Sequence, residues 1–552
     1  MKTWNIGNTT VRNPERLRDA LMLFENKMTG RPFRKQEQTE FQNHMIDAKL
    51  VDSDRRDGDD GARKFASAFK QLGFISDWSR GKSWEVTEAG KQLINNPNIE
   101  ANIFLKQLLK YQIPSPLENQ KGFRLRPFRV FLQFLHRAHL DGMVGLTKFE
   151  IGLFVITTLS EDVDKFEAAF TKIKAFRSRY NAMIGNVQKA KFAMENLRST
   201  AQKLGLEHHT LLDYSDSNSR YALMSGLLTL RGNKIAISDS RVVFVSDILT
   251  DGTEILSEND YLNKFYDPTF PALPSDNLTF LRKETTSLLS QIKQLAKSSN
   301  EYADLPETPL EFNIISTQEY EQVLKKELIR LRELEFYRNQ SKKEALVEIE
   351  NLLEDIRDNN LVGGQVYAPA FFEWAVWRLF LAINHIEGSV SKTRGFRIDE
   401  DMQPIHHAKG GAADLTFTYR DFVLICEMTL AGGSRQFTME GEPVTRHVFK
   451  VIRESNTKPV YGLFIAKKVD PNTVDAFHNA RYWSNWESPV TTPVISIEIE
   501  HVLGLVRAIQ KEMITVEKLR KLFDSILDGQ KDYSTGPEWY LSYAENLIEQ
   551  FK

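Results

Sequence analysis

Cysteine is nearly absent from this sequence, with Cys426 standing alone. A single thiol makes no internal disulfide and no Cys-based zinc module, and it suits a reducing compartment. Long apolar runs are missing too. No stretch approaches the roughly 18 apolar residues a membrane helix needs, and the N-terminal MKTWNIGNTT lacks the apolar core of a signal peptide. The expected location is the cytoplasm. A strong net charge is also lacking, since 72 basic and 74 acidic residues leave −2. With 11% aromatic residues, that balance excludes a chain disordered throughout. At roughly 100–200 residues per domain, 552 residues make about three or four domains.

The small net charge hides an asymmetry. Residues 1–230 hold 35 Lys+Arg and 26 Asp+Glu, a balance of +9. The remainder holds 37 basic and 48 acidic residues, a balance of −11. A basic first part beside an acidic second part suggests that the first meets a polyanion.

The local patterning agrees. Residues 14–30 read as a helix opening at Asn13 and Pro14, with Leu17, Leu21 and Phe24 at helical spacing. Asp52–Asp60 reads as a solvated loop. Ala62–Leu72 is helical, with Phe65, Phe69 and Leu72 on one face, and Gly73 ends it. Phe74–Asp77 and Trp84–Thr87 read as short strands around the basic turn Arg80–Lys82, and Glu88–Ile94 starts another helix. This is the layout of a winged helix-turn-helix. A helix of that kind fits the DNA major groove, and a basic hairpin tip reaches backbone phosphate. Winged helices also serve protein contacts. On the DNA reading, Arg63, Lys64, Lys70, Arg80 and Lys82 are the candidate contacts.

A second recognition subdomain is expected further on. Phe128–His139 and Leu146–Leu159 read as helices, the latter with Thr147 and Glu150 spaced as a capping box. A basic helix over Lys165–Leu197 is followed by a hairpin, Tyr221–Leu230 and Lys234–Ser238, turning at Gly232-Asn233. Pro268, Pro271 and Pro274 mark a boundary. Asn277–Ser299 and Thr317–Asn359 read as long charged helices, a helical connector. The expected domains are 1–120 and 121–275 for recognition, 276–360 as helical linker, and 361–552 for catalysis.

From about residue 361 the chain changes character. Pro369–His385 is a strongly apolar helix containing Glu373. A carboxylate there is costly unless paired or bound to a cation, or else occupies an exposed position. Downstream, Asp414–Tyr419 alternates apolar and polar, and Phe422–Met428 is nearly all apolar, as a central strand should be. Pairing about the Arg420-Asp421 turn brings Asp414 and Glu427 side by side. Two such carboxylates hold a hard divalent cation such as Mg²⁺, which can activate water and offset charge on a phosphodiester transition state. This is the skeleton of the PD-(D/E)xK nuclease core, except that Thr429 stands where Lys is usual. A helix from about Ser434 would align Gln436, Glu440 and His447 on one face, but Pro443 is expected to interrupt it. His447 is a candidate for proton transfer, or else a structural histidine.

Two segments carry a family likeness. WNIGNTTVRNPER and GFRIDEDMQPIHHAKGGAADLTFTYRDFVLICEMTLAGGSRQFTMEGEPVTRHV closely resemble the AlwI family of type IIS restriction endonucleases and related nicking enzymes. The resemblance implies a multidomain α+β protein, with winged-helix-like N-terminal recognition subdomains, a helical linker and a C-terminal PD-(D/E)xK-like α/β nuclease domain. It implies binding to a short asymmetric site in double-stranded DNA and Mg²⁺-dependent cleavage at a fixed offset. Carried over by motif, the catalytic carboxylates fall on Asp414 and Glu427, with Glu440 and His447 completing the site and Glu373 supporting it. Glu442 is the alternative to Glu440 as third carboxylate. The family shares Thr in place of Lys. Double-strand cleavage then calls for a transient homodimer or a partner subunit, whereas a chain acting alone is a strand-specific nickase. Two rivals stay open: a winged-helix DNA-binding protein with an inactive nuclease domain, and a repair nuclease without sequence specificity.

Overall fold

The computed structural model describes residues 3–551. It leaves out 10, 12–13, 52–55, 77–82, 118–121, 184–185, 233, 251–254, 300, 361–367, 400, 409–410, 456–457 and 484–488. The chain divides into two units, Met1–Lys293 with Asp304–Glu327, and Gln294–Ala303 with Leu328–Lys552.

In the first unit a short turn at Pro14–Arg16 leads into α1 (Leu17–Met28), whose Leu17, Leu21, Phe24 and Met28 recur at helical spacing and are buried. α2 (Lys35–Asp47) was not evident from its mostly polar sequence, and it buries only Phe41, Gln42, Met45 and Ile46. α3 (Asp60–Gln71) turns Phe65 and Phe69 inward. It precedes a minimal antiparallel pair, β1 (Ile75–Ser76) and β2 (Glu85–Val86), and then α4 (Glu88–Asn95). The Thr87 hydroxyl caps α4 by accepting the Gly90 N–H at 3.1 Å, and it donates to the Gly73 carbonyl at 2.7 Å. The tip of this hairpin, with Arg80 and Lys82, lies outside the described residues.

α5 (Glu100–Lys110) and α6 (Pro127–Leu140) follow. The helix expected over 146–159 begins instead as β3 (Leu146–Thr147), followed by the single turn α7 (Lys148–Glu150) and a wide helical turn to Val155. Leu146 and Thr147 pair with a later strand, and that pairing takes them out of the helix. The capping box forms as its spacing suggests: Thr147 Oγ1 accepts the Glu150 N–H at 3.2 Å, and the Glu150 carboxylate accepts the Thr147 N–H at 2.8 Å. The basic stretch is two helices, α8 (Val163–Asn181) and α9 (Asn186–Leu204). α10 (His208–Leu223) absorbs the start of the expected second hairpin. β4 (Leu228–Arg231) and β5 (Lys234–Ile237) form its strands, with sheet order β3-β5-β4. α11 (Val242–Thr250) and α12 (Glu258–Tyr266) precede the long helices α13 (Leu278–Ser298) and α14 (Ile314–Asn339). Trp4, Phe69, Phe104, Phe131 and Tyr221 belong to one apolar cluster, so sequence on both sides of residue 120 shares a core.

The second unit adds α15 (Lys343–Asp358) and α16 (Ala368–Ile383), then β6 (Leu415–Thr418), β7 (Val423–Thr429), α17 (Ser434–Glu454) and β8 (Val460–Ala466). α18 (Pro471–Asn479) leads to a separate antiparallel pair, β9 (Arg481–Trp483) and β10 (Pro489–Thr491). β11 (Val494–Glu498), α19 (Ile499–Gln510), α20 (Val516–Gly529), α21 (Gly536–Ala544) and α22 (Leu547–Gln550) complete it. The main sheet has order β11-β8-β7-β6, with β6 antiparallel to β7 and the other neighbours parallel. Leu415, Phe417, Leu424 and Cys426 share a cluster with α16. Val423 and Ile425 share another with Val444 and Val448 of α17. Strand alternation therefore turns Glu427 and Thr429 toward α17. Among the described residues no helix is long and apolar enough to cross a membrane.

Candidate active site

Glu373 sits in α16 and is buried, so the alternative of an exposed position is not realised. Its carboxylate accepts the backbone N–H of Ala408 at 2.7 Å. Asp414 precedes β6 by one residue. Extending the register Leu415↔Cys426 places it opposite Glu427. Its Oδ2 accepts the Met428 N–H at 2.9 Å. Glu427 is buried near the end of the central strand, and its Oε1 lies 2.7 Å from Nδ1 of His447. The direction of this bond follows the proton: with Glu427 ionised Nδ1 donates and Nε2 is left as an acceptor, and with Glu427 protonated the carboxyl donates to Nδ1. Nε2 is buried with no hydrogen-bond partner among the described residues.

Pro443 does not break α17, which runs unbroken from Ser434 to Glu454. The carbonyl that loses its partner is that of Met439, on the exposed side of the helix. Continuity brings Glu440 and His447 to the sheet side together. Gln436 sets the start of the helix. It is fully buried, its Nε2 donates to the carbonyls of Ala431 and Lys468 at 2.8 and 2.9 Å, and its Oε1 accepts the Asp470 N–H at 2.7 Å. The ends of β7 and β8 and the first turn of α17 are thus held by one side chain.

Burial and mutual repulsion act together on the carboxylates. Burial, then the charge of Glu440, pushes Glu427 up to about 8. Burial, then Glu427, raises Asp414, and burial, then Asp414, raises Glu373. Burial also raises Glu440, opposed by a hydrogen bond with Thr429 and by His447. Burial and the neighbouring Arg446 hold His447 below its ordinary value. Glu442 points elsewhere: it is exposed and pairs with Arg446 at 3.0 Å. Glu440 is therefore the member of that pair that reaches the cluster.

Carboxylates that burial keeps from ionising fit a hard divalent cation, which would offset the repulsion among them. In this structure Asp414, Glu427 and Glu440 do not bring three ligand atoms within 4.8 Å of one another. Among the described residues only Glu207, His208 and His209 do so. One oxygen of Glu427 is held by His447, and Asp414 is turned to the Met428 N–H.

Of the DNA-contact candidates, Arg63, Lys64 and Lys70 lie on α3, and Arg80 and Lys82 fall outside the described residues. Arg63 is exposed on α3, 3.3 Å from Asp59, and Lys64 pairs with Asp60. Lys70 is half-buried at the end of the same helix. Sequence reading missed the parts played by Thr429, Arg446 and the Met428 N–H. Thr429 had drawn notice only as a missing lysine, and its partner Glu440 becomes visible only once α17 is placed on the sheet.

The model of the AlwI restriction endonuclease family matches residues 70–503. No curated protein sequence matches the chain. Among solved structures, the chain is similar to the small subunit of the heterodimeric restriction endonuclease R.BspD6I, with 22% identity over 37% of this chain and 97% of that one, at a TM-score of 0.29. It is also similar to the BpuJ1 endonuclease binding domain in complex with modified DNA, with 15% identity over 45% and 88% and a TM-score of 0.32. A third similarity is to FokI bound to DNA, with 12% identity over 91% and 88% and a TM-score of 0.23. TM-scores of this size fix no fold.

Proposed function

The chain belongs to the AlwI restriction endonuclease family, and from that premise we propose that it is a type IIS enzyme that hydrolyses double-stranded DNA with Mg²⁺ at a fixed distance from a short asymmetric site. The single observation that carries this reading is the meeting of Asp414, Glu427, Glu440 and His447 across two paired strands and one helix. On this reading β6, β7, α17 and β8 form a PD-(D/E)xK-like core, and the α3–β1–β2–α4 segment is a winged-helix reader. The single buried Cys426 fits work in the cytoplasm.

Asp414 and Glu427 would hold the cation, with Glu440 as a further ligand or as the group that orients one. A bound Mg²⁺ supplies activation of water and neutralisation of charge on the phosphate. His447 keeps Glu427 aligned through Nδ1 and offers Nε2 as proton acceptor, or as phosphate donor once protonated. Glu373 supports the site by fixing the Ala408 backbone next to it. One such cluster serves one strand. Cutting both strands calls on a second copy or a partner subunit, and a chain acting alone nicks.

The test is a plasmid incubation with Mg²⁺ or EDTA, using the native protein and Glu427→Gln. Metal-dependent breaks that vanish in the variant are expected. Breaks in EDTA, or full activity in the variant, would remove the proposed site.

A further inference from the structure

β9 and β10 stand apart from the main sheet as a two-stranded hairpin, and their faces differ in character. The inner face is anchored to α17. The Tyr482 ring stacks on Phe449 with centroids 4.8 Å apart and planes 16° apart. Its hydroxyl lies 2.9 Å from Thr445 Oγ1 and 3.3 Å from the Glu442 carboxylate. Glu442 in turn holds Arg446, whose charge reaches both Glu427 and His447. The hairpin is therefore fastened to the helix that carries Glu440 and His447, one side chain away from the cluster.

The outer face is open. Trp483 is 59% exposed, and Arg481 is exposed with no acidic partner among the described residues. Pro489 and Thr491 lie opposite them in register and are exposed as well. Along α17, Arg446, Lys450 and Arg453 are exposed at spacings of four and three, beside the Phe449 position that the hairpin covers. The hairpin and the helix it is fastened to thus carry an exposed indole and four exposed cations, of which Arg446 is paired with Glu442. Residues 328–552 as a whole have the opposite balance, with 27 basic residues, these four included, and 32 acidic ones. Exposed cations on one helix and hairpin together with an exposed aromatic, in a part of the chain that is acidic overall, are complementary to a polyanion backbone with flat apolar edges.

We propose that the outer face of the β9–β10 hairpin grips the DNA duplex beside the scissile bond, with Arg481 on a backbone phosphate and Trp483 against the sugars and groove edge. The proposal rests on the nuclease reading above and adds an element that reading does not use. The grip is independent of sequence, because phosphate and sugar are the same at every step. It would hold the cleavage unit on DNA outside the recognised bases.

The experiment uses the full chain and a duplex cut from the plasmid at the mapped break. Steady-state cleavage is measured across a NaCl series for Arg481→Ala, Trp483→Ala and Arg481→Lys, with footprinting in EDTA alongside. KM should rise roughly tenfold in both alanine variants with kcat unchanged. The log–log salt slope should become shallower by about 1 for Arg481→Ala and be kept by Arg481→Lys. Protection on the cut side should shorten while protection at the recognised bases stays. Melting temperatures matching the native protein exclude misfolding. Unchanged KM, slope and footprint would overturn the proposal, and so would a variant that alters self-association but leaves the footprint intact. A native protein that cuts no DNA would sink the nuclease reading alone, since the footprint still tests the hairpin.

Discussion

Asp414 and Glu427 occupy positions where ionisation is opposed by burial and by a neighbouring carboxylate, Glu427 for Asp414 and Glu440 for Glu427. Replacing either with its neutral isostere removes that opposition and keeps the shape. Asp414→Asn and Glu427→Gln should therefore melt no lower than the native protein. A site that loses a metal ligand forfeits several kcal/mol of charge stabilisation, so cleavage should fall roughly a thousandfold or more. Calorimetry and plasmid cleavage on the same samples separate the two effects. A loss of stability matching the loss of activity would make these residues structural. Lys110 tests the same physics away from the site. Burial lowers its amine from 10.5 to about 7, and its Nζ donates to the Asp267 carbonyl at 2.8 Å. The unfolded chain then binds the extra proton between those two values. The penalty is full below about 7 and is relieved as pH rises toward 10.5. Lys110→Met should raise stability near neutral pH and flatten its rise with pH. An equal rise with pH in the variant would show that the slope comes from other groups.

α17 organises the site more than any other element, and it owes its position to Gln436. Gln436→Ala would leave the carbonyls of Ala431 and Lys468 and the N–H of Asp470 without their partner. Buried groups left unsatisfied cost about 1–3 kcal/mol, which urea unfolding can read. Because the same helix carries Glu440 and His447, the variant should also need more Mg²⁺ for half-maximal cleavage. An unchanged metal requirement would mean that Gln436 holds the fold but not the site. This element also shows how far the sequence could be read. The hairpin of β6 and β7 was legible because alternation, a polar turn and an all-apolar strand are local signals. The carboxylate pair followed from register alone. The continuity of α17 through Pro443 was not legible, since a helix tolerates a missing donor when the orphaned carbonyl faces outward, and facing is a tertiary property. β3 was hidden for a related reason: Leu146 and Thr147 look helical until β5 is there to pair with them. α2 lacked enough apolar residues to announce itself, and the β9–β10 hairpin has only three residues per strand.

Across the whole chain the charge is divided, with +9 over residues 1–230 and −11 over the rest. If the basic part carries recognition, DNA binding by Asp414→Asn in EDTA should remain specific and should weaken steeply with salt, losing about 0.9 in log–log slope per phosphate neutralised. Salt-independent binding would place the basic surplus away from DNA. On the proposed reading recognition and hydrolysis reside in separate parts of one chain, and the decisive observable is where the break falls. The most direct measurement is run-off sequencing of both strands of a plasmid incubated with the native protein and Mg²⁺, beside an EDTA control. The expected result is metal-dependent breaks at a constant distance from one asymmetric sequence, on one strand for a chain acting alone and on both for a paired one. Breaks scattered without a common neighbouring sequence, or no breaks in any divalent metal despite a specific gel shift, would contradict it.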